Sequence, residues 1–335
     1  MEGVPFSLMP TRALITGGAG VICSHLAEYL LARGYHVTII DNLLSGLFEN
    51  IAHLERNPNF RYAIEDIRTA PIMDRLVSEC DVIFHLAAAV GVFSIVSSPI
   101  DTIEVNVGGT EIVLQTARRY RRKVLIASTS EVYGKNEKIP FSEDDDRTLG
   151  ATTKARWSYA ASKELDEFLG LAYHKAANLP VTIFRLFNTV GARQRGHYGM
   201  VLPRFVQWAL RGEPLQLYGD GQQQRCFCNV RDVVTAITGL AETPHAVGEV
   251  FNIGSNEEIT IHALAQRVIA RTGSSSTIQR ISYEQAYGEG FEDMRRRIPD
   301  IAKIQAAIGW QPTIGLDETI DQIIRHEQAR TDGKD

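Results

Sequence analysis

Residues 12–41 read RALITGGAGVICSHLAEYLLARGYHVTIID, and this stretch decides the fold. Arg12–Thr16 is a short apolar run broken by a glycine cluster, the pattern of a buried strand. Residues 24–31 read as a helix, and His36–Ile40 as a second strand ending at Asp41. Strand, glycine turn, helix, strand and acid, with the acid about 20 residues past the glycines, is the order of a dinucleotide-binding unit. Gly17 and Gly20 let backbone approach a pyrophosphate, and the helix start at Val21 and Ile22 attracts its charge. Asp41 can accept hydrogen bonds from an adenosine ribose, and its charge repels a 2′-phosphate. The following Asn42-Leu43-Leu44-Ser45-Gly46 offers no Arg or Lys to reverse that, so NAD is favoured over NADP, with Asn42 and Ser45 beside it.

The alternation continues. Strands fit 60–64, 81–85, 123–128 and 180–186, and helices fit 70–78, 99–120 and 157–177. The expected fold is α/β, a Rossmann-like doubly wound parallel sheet covered on both faces. Ligands of such sheets bind beyond the carboxyl ends of the strands. Asp41, Asp66-Ile67, Leu86-Ala87-Ala88, Ser128–Glu131 and Asn188 all stand at such ends. Asp66-Ile67 can frame the adenine, although a plain strand-end loop explains it equally. Past residue 188 the pattern loosens. Residues 1–188 are assigned to an NAD-binding domain carrying the catalytic residues. Residues 189–335 are assigned to a smaller C-terminal substrate-binding lobe, with 250–253 returning to the sheet. Helices fit 203–211, 232–242, 260–272 and 316–330.

Composition narrows the class. A chain of 335 residues, 44% hydrophobic, can bury a large core. Its net charge of −5 comes without a basic block, which argues against nucleic acid as partner. The N-terminal stretch lacks a basic start and a long apolar run, and no segment approaches a membrane span. Four scattered cysteines make no disulfide framework, so a soluble, cytoplasmic protein is expected. Cys226-Phe227-Cys228 has no further ligands at zinc spacing and reads as strand residues on one face; no metal is expected. The acidic run at 143–146 reads as a solvated loop.

Tyr159 and Lys163, in WSYAASK, carry the chemistry. Side chains at i and i+4 share a helix face, and a neighbouring cation favours a phenolate. Beside a hydride acceptor, such a pair can oxidise a sugar alcohol. Thr129 and Ser130, after a buried strand, can hydrogen-bond the reacting hydroxyl or satisfy their own backbone.

These segments, taken with Arg185-Leu186-Phe187-Asn188, Tyr218-Gly219-Asp220-Gly221, Arg225 and Gly309-Trp310-Gln311-Pro312, resemble the extended short-chain dehydrogenases/reductases that modify nucleotide sugars. The family's third glycine is Cys23 here, which implies looser cofactor packing. The resemblance implies that Tyr159 takes the proton of the sugar 4-hydroxyl, with Thr129 as its partner and Lys163 on the nicotinamide ribose. It implies three fates for a 4-ketone: epimerisation, dehydration or decarboxylation. Glu131 stands where simple 4-epimerases carry small residues, and Ser130 where dehydratases carry Asp. With the segment 290–300 and Arg297, these look like UDP-glucuronate decarboxylases. Arg297 is placed near the sugar carboxylate or a phosphate, while Arg295 and Arg296 read as surface residues balancing Glu289, Glu292 and Asp293. Asn188 and Arg225 are placed near the diphosphate, and the strand Leu215–Tyr218 along the base. The leading expectation is an NAD-dependent decarboxylase acting on a UDP-sugar. A UDP-glucose or UDP-glucuronate 4-epimerase and a noncatalytic NAD-binding regulator remain open. Family relatives pair helices 99–120 and 157–177, so a homodimer is expected.

Overall fold

The computed structural model describes residues 10–91, 98–194, 196, 200–287 and 294–332. The first half builds β1 (Arg12–Thr16), β2 (His36–Asp41), β3 (Phe60–Ile64), β4 (Val82–His85), β5 (Lys123–Thr129) and β6 (Val181–Leu186). Three short strands follow in the second half: β7 (Thr189–Val190), β8 (Leu215–Tyr218) and β9 (Gln224–Cys226). After these come β10 (Cys228–Asn229), β11 (Val250–Ile253), β12 (Glu258–Thr260) and β13 (Ile278–Ile281). The central sheet has seven strands in the order β11-β6-β5-β4-β1-β2-β3, all parallel. The order reverses between β1 and β4, which opens a crevice beyond their carboxyl ends. Residues 250–253 do return to the sheet, alongside β6.

Alternation along each strand explains why both faces are covered. Ala13, Ile15, Val37 and Ile39 point into one apolar cluster with Val233 and Ile237 of helix Val230–Glu242. Leu14, Ile40 and Ile83 point into the opposite cluster with Val113 and Leu114 of helix Gly109–Tyr120. Each fully buried aliphatic side chain contributes about 1.5–3 kcal/mol, so a two-faced strand of Val, Ile and Leu is stable only as a sandwich filling. Helices Val201–Leu210, Ile261–Thr272 and Leu316–Asp332 pack on β8 around a third cluster centred on Phe205, Leu264 and Ile320.

Three expectations change. The helix over 99–120 is not continuous: Pro99–Ile103 and Gly109–Tyr120 are joined by a π-helical turn, Glu104–Gly108. That wider turn aims Asn106, 1% exposed, inward, where its Oδ1 accepts from Ala89 N at 2.8 Å and its Nδ2 donates to Ser162 Oγ at 2.9 Å. The run 143–146 is not simply solvated: buried Glu143 accepts the Asn252 N–H at 2.7 Å, and Asp145 accepts the Ser142 N–H at 2.8 Å. Cys226 and Cys228 fall in two separate short strands, and all four cysteines are free and buried. Among the described residues no helix is long and apolar enough to cross a membrane.

Candidate active site

A cavity of about 480 Å³ lies beyond the carboxyl ends of the strands, lined from the sheet side by residues such as Gly17 and Thr129 and from the second half of the chain by residues such as Phe205 and Tyr218. At one end is the glycine turn. Gly17 has φ +73°, and a Cβ there would fall 2.9 Å from Ala87 Cα. Gly18, in the turn, lies tight on β2: a Cβ there would meet Ile39 Cβ at 2.2 Å. Cys23 fits with 4% exposure, its Sγ directed at Thr16 O at 3.6 Å. Helix Val21–Ala32 starts on Gly20 with no side-chain cap and no acid in its first turn, leaving a positive end facing the cavity. Asp41 also faces the cavity; its carboxylate accepts from Ala19 N at 2.9 Å and Leu43 N at 2.7 Å, and burial raises its pKa. A bare helix end, a glycine cradle and an acid at the β2 terminus fit a dinucleotide. Ser45, Leu86, Ala87 and Ala88 complete this wall.

Asn42, Asp66, Ile67 and Leu215 do not line it. Asp66 is held in a fork by Arg68, at 2.9 and 2.8 Å, and by Asn42 at 3.1 Å; the Arg68 bonds chiefly hold its pKa down at about 2. Ile67 and Leu215 are buried in the second and third apolar clusters.

Thr129, Ser130, Glu131, Tyr159 and Lys163 meet in the middle of the cavity. The end of β5 supplies Thr129, the 3₁₀ turn Ser130–Tyr133 that follows it supplies Ser130 and Glu131, and helix Ser158–Ala177 supplies the last two. Lys163 has an acidic partner of its own. Its Nζ donates to Asp166 Oδ2 at 2.6 Å, deep in the protein. Burial, then the charges of Glu131 and Asp166, push the Tyr159 pKa up, against a hydrogen bond with Thr129 and the charge of Arg156.

Glu131 sits between two guanidiniums, Arg156 Nη1 at 2.6 Å and Arg297 Nη1 at 3.5 Å. Burial works to raise the Glu131 pKa, but both arginines outweigh it and the carboxyl lies below its usual value. Arg297 also donates to Asn188 Oδ1 at 3.2 Å, and Asn188 in turn holds Cys226 O at 2.8 Å. Arg225 and Tyr218 line the far wall. Arg296 is a surface residue as expected, but its partner is Glu258, at 2.9 and 2.7 Å; Glu289, Glu292 and Asp293 lie outside the described residues.

The sequence reading missed Arg156, Asp166 and Arg204. Arg156 precedes Tyr159 by three residues, and a charged residue that close to the motif was the available signal. Arg204 lies 4.9 Å from the Trp208 ring centre and 5.1 Å from that of Tyr218, stacking a cation between two aromatics on the second-lobe wall. No local pattern announced that contact. Among the described residues no three His, Cys, Asp or Glu side chains gather as a metal site.

Residues 14–323 match the protein family described as GDP-mannose 4,6 dehydratase. The UDP-N-acetyl-alpha-D-glucosaminuronate decarboxylase of Bacillus cytotoxicus is 46% identical, over 93% of this chain and 97% of that protein. UDP-glucuronic acid decarboxylase 4 of Arabidopsis thaliana is 36% identical, over 96% of this chain and 70% of its own. The crystal structure of UDP-glucuronic acid 4-epimerase from Bacillus cereus, in complex with UDP-glucuronic acid and NAD, superposes with a TM-score of 0.86 at 28% identity, covering 96% of this chain and all of that one.

Proposed function

The chain belongs to the GDP-mannose 4,6-dehydratase family of extended short-chain dehydrogenases/reductases, and from that premise we propose that it decarboxylates a UDP-linked uronic acid through a 4-keto intermediate. One observation carries the uronic acid. Two guanidiniums, Arg156 and Arg297, stand beside one carboxylate, Glu131, on the cavity wall, so cationic fork donors face the place where a second carboxylate can bind. A neutral hexose offers them no anion.

Tyr159 removes the proton of the 4-hydroxyl, and Thr129 orients both oxygens by hydrogen bonding. NAD, when bound at the glycine turn, supplies the hydride acceptor for C4 and later returns the hydride. Asp41 selects NAD over NADP by repelling a 2′-phosphate. The 4-ketone makes the C5 carboxylate a β-keto acid. The C5–C6 bond breaks, carbon dioxide leaves, and the electron pair passes into the enolate before C5 takes a proton. Glu131, kept ionised by its arginines, positions the sugar at C5, while Arg297 grips the carboxylate. Lys163 holds the nicotinamide ribose. Asn188 and Arg225 face the diphosphate, and Tyr218 faces the base.

The 46% relative acts on the 2-acetamido sugar by its name, so both UDP-N-acetylglucosaminuronate and UDP-glucuronate belong in the assay. Product mass decides: loss of one carbon dioxide supports the proposal, whereas conversion without mass change supports the runner-up, a uronate 4-epimerase like the structural neighbour. Thr129, Tyr159 and Lys163 together in one cavity weigh against a noncatalytic regulator. A homodimer is also proposed. Ile100 (70% exposed), Ile103, Leu165 and Phe168 (53%) form an apolar face on helices Pro99–Ile103 and Ser158–Ala177.

A further inference from the structure

Behind the reacting groups lies a buried ion pair whose acidic member, Asp166, the mechanism above does not use. Lys163 is 3% exposed and Asp166 0%, with 2.6 Å between Nζ and Oδ2. The pair ends a line of polar side chains that begins at the glycine turn. Thr16 Oγ1 accepts the N–H groups of Leu86 at 3.2 Å and Ala87 at 3.1 Å. Its own hydrogen is thereby left for His85 Nδ1, 2.8 Å away. His85 therefore carries its proton on Nε2 and donates it to Thr110 Oγ1 at 2.9 Å. The Thr110 hydrogen is then left to face Asp166, whose pKa burial raises against the opposing pull of Lys163 and of the Thr110 hydroxyl. Asp166 Oδ1 is buried without a hydrogen-bond partner among the described residues.

We propose that Asp166 is the positioning residue of this site: it fixes where the Lys163 ammonium stands and cancels much of the charge that Tyr159 would otherwise feel. This rests on Tyr159 being the base of the proposed reaction. A cation 2.6 Å from a buried carboxylate presents a dipole to its surroundings, and a dipole's field falls off faster than that of a lone charge. Other groups facing the phenol and the pair fit this account. Glu131 and Arg156 approach from segment 130–133 and segment 155–157, and the two charges oppose each other at the phenol. His85 comes from β4 and is neutral, its pKa lowered to about 3 by burial and then by Lys163. Thr110 and Asn106 come from the 104–120 stretch and carry no charge. Glu167, next along the helix, is closed off by Arg185 at 2.7 Å and Arg147 at 3.8 Å. Among the described residues, Asp166 is the carboxylate that bonds Lys163.

The test is a phenolate absorbance titration of the purified protein, with Tyr159→Phe as the blank. Asp166→Asn should lower the Tyr159 midpoint by about one pH unit or more, because the uncancelled ammonium then favours the phenolate. Asp166→Glu restores the charge and should bring the midpoint back toward wild type. A midpoint unmoved in folded Asp166→Asn overturns the proposal. Lys163→Met gives a second reading should the Asn variant not fold. Without its cation, buried Asp166 takes a proton, a neutral pair is lost, and the midpoint should stay within about half a unit of wild type. An upward move of more than about one unit would mean that Lys163 acts on Tyr159 directly. No sugar enters the titration, so failure to observe decarboxylation leaves this result standing, and the reverse holds too.

Discussion

Arg156 reaches across 25 positions of sequence to bind Glu131 at 2.6 Å, and Arg297 reaches the same carboxylate from the far end of the chain at 3.5 Å. If the second guanidinium takes a sugar carboxylate, Arg297→Ala should remove a charge-assisted contact worth about 1.5–3 kcal/mol, or roughly ten- to a hundredfold in KM for the uronate. UDP-glucose binding should change little. Steady-state kinetics and inhibition constants for both sugars check this, and equal losses would assign Arg297 to the diphosphate instead. Arg156→Met should raise the Glu131 pKa, so the acid limb of carbon dioxide release moves to higher pH.

Tyr159→Phe removes one hydroxyl from a buried site and little volume. Fold and NAD binding should persist while turnover falls by about 10²–10⁴. Circular dichroism, nucleotide titration and product formation are the readouts. Near-normal turnover would move the proton-transfer role to another group.

NAD should bind more tightly than NADP by calorimetry, and Asp41→Asn should narrow the gap by weakening NAD and admitting the 2′-phosphate. Ala19 N and Leu43 N bond different oxygens of Asp41, so the amide keeps only one of the two bonds, and a thermal melt of the variant should accompany the titrations. Tighter NADP binding by the wild type would remove Asp41 from the argument.

How much of this was legible is clearest at β1 and β7. The strand Arg12–Thr16 and its glycine turn were plain because apolar run, breaker and helix occur within one local window. The limits of β3 and β11 were equally plain. Strand β7, two residues long, and β12, three, are too short to show a period; partners distant in sequence create them. At the site, the motif residues converged as expected, whereas Asp66 did not, because Arg68 two positions on captured it. Asp166 was visible as a residue but not as a partner. Nothing in a sequence says that a lysine on a catalytic helix face bonds three residues forward.

Acid should destabilise the fold through its histidines. The folded His85 pKa is lowered to about 3 and that of His25 to about 4, chiefly by burial. The unfolded chain therefore binds protons that the native one refuses as pH falls below the usual histidine value. Stability should decline by about 1.4 kcal/mol per pH unit for each such group until its folded pKa is reached. Urea unfolding at a series of pH values measures the slope. His85→Asn should flatten it, and an unchanged slope would count against His85 being neutral.

Light scattering at micromolar concentration should give a dimer, and Leu165→Glu with Phe168→Glu should give a folded monomer. Both side chains are exposed on helix Ser158–Ala177, so the changes strain no core. A monomeric wild type would leave that apolar face for another partner.

The π-helical turn Glu104–Gly108 has a further consequence, for which changes of chain length the protein can accept. Deleting one residue there would restore ordinary winding and rotate everything before it by about 100° relative to everything after. Ile100 and Ile103 would swing off their exposed face, and Asn106 would leave its place between Ala89 and Ser162. The outer apolar surface and the buried hydrogen bonds of Asn106 are thus locked to one helical phase. This segment should tolerate substitution on its outer side far better than any insertion or deletion, because point changes alter a side chain while a length change desynchronises two surfaces at once.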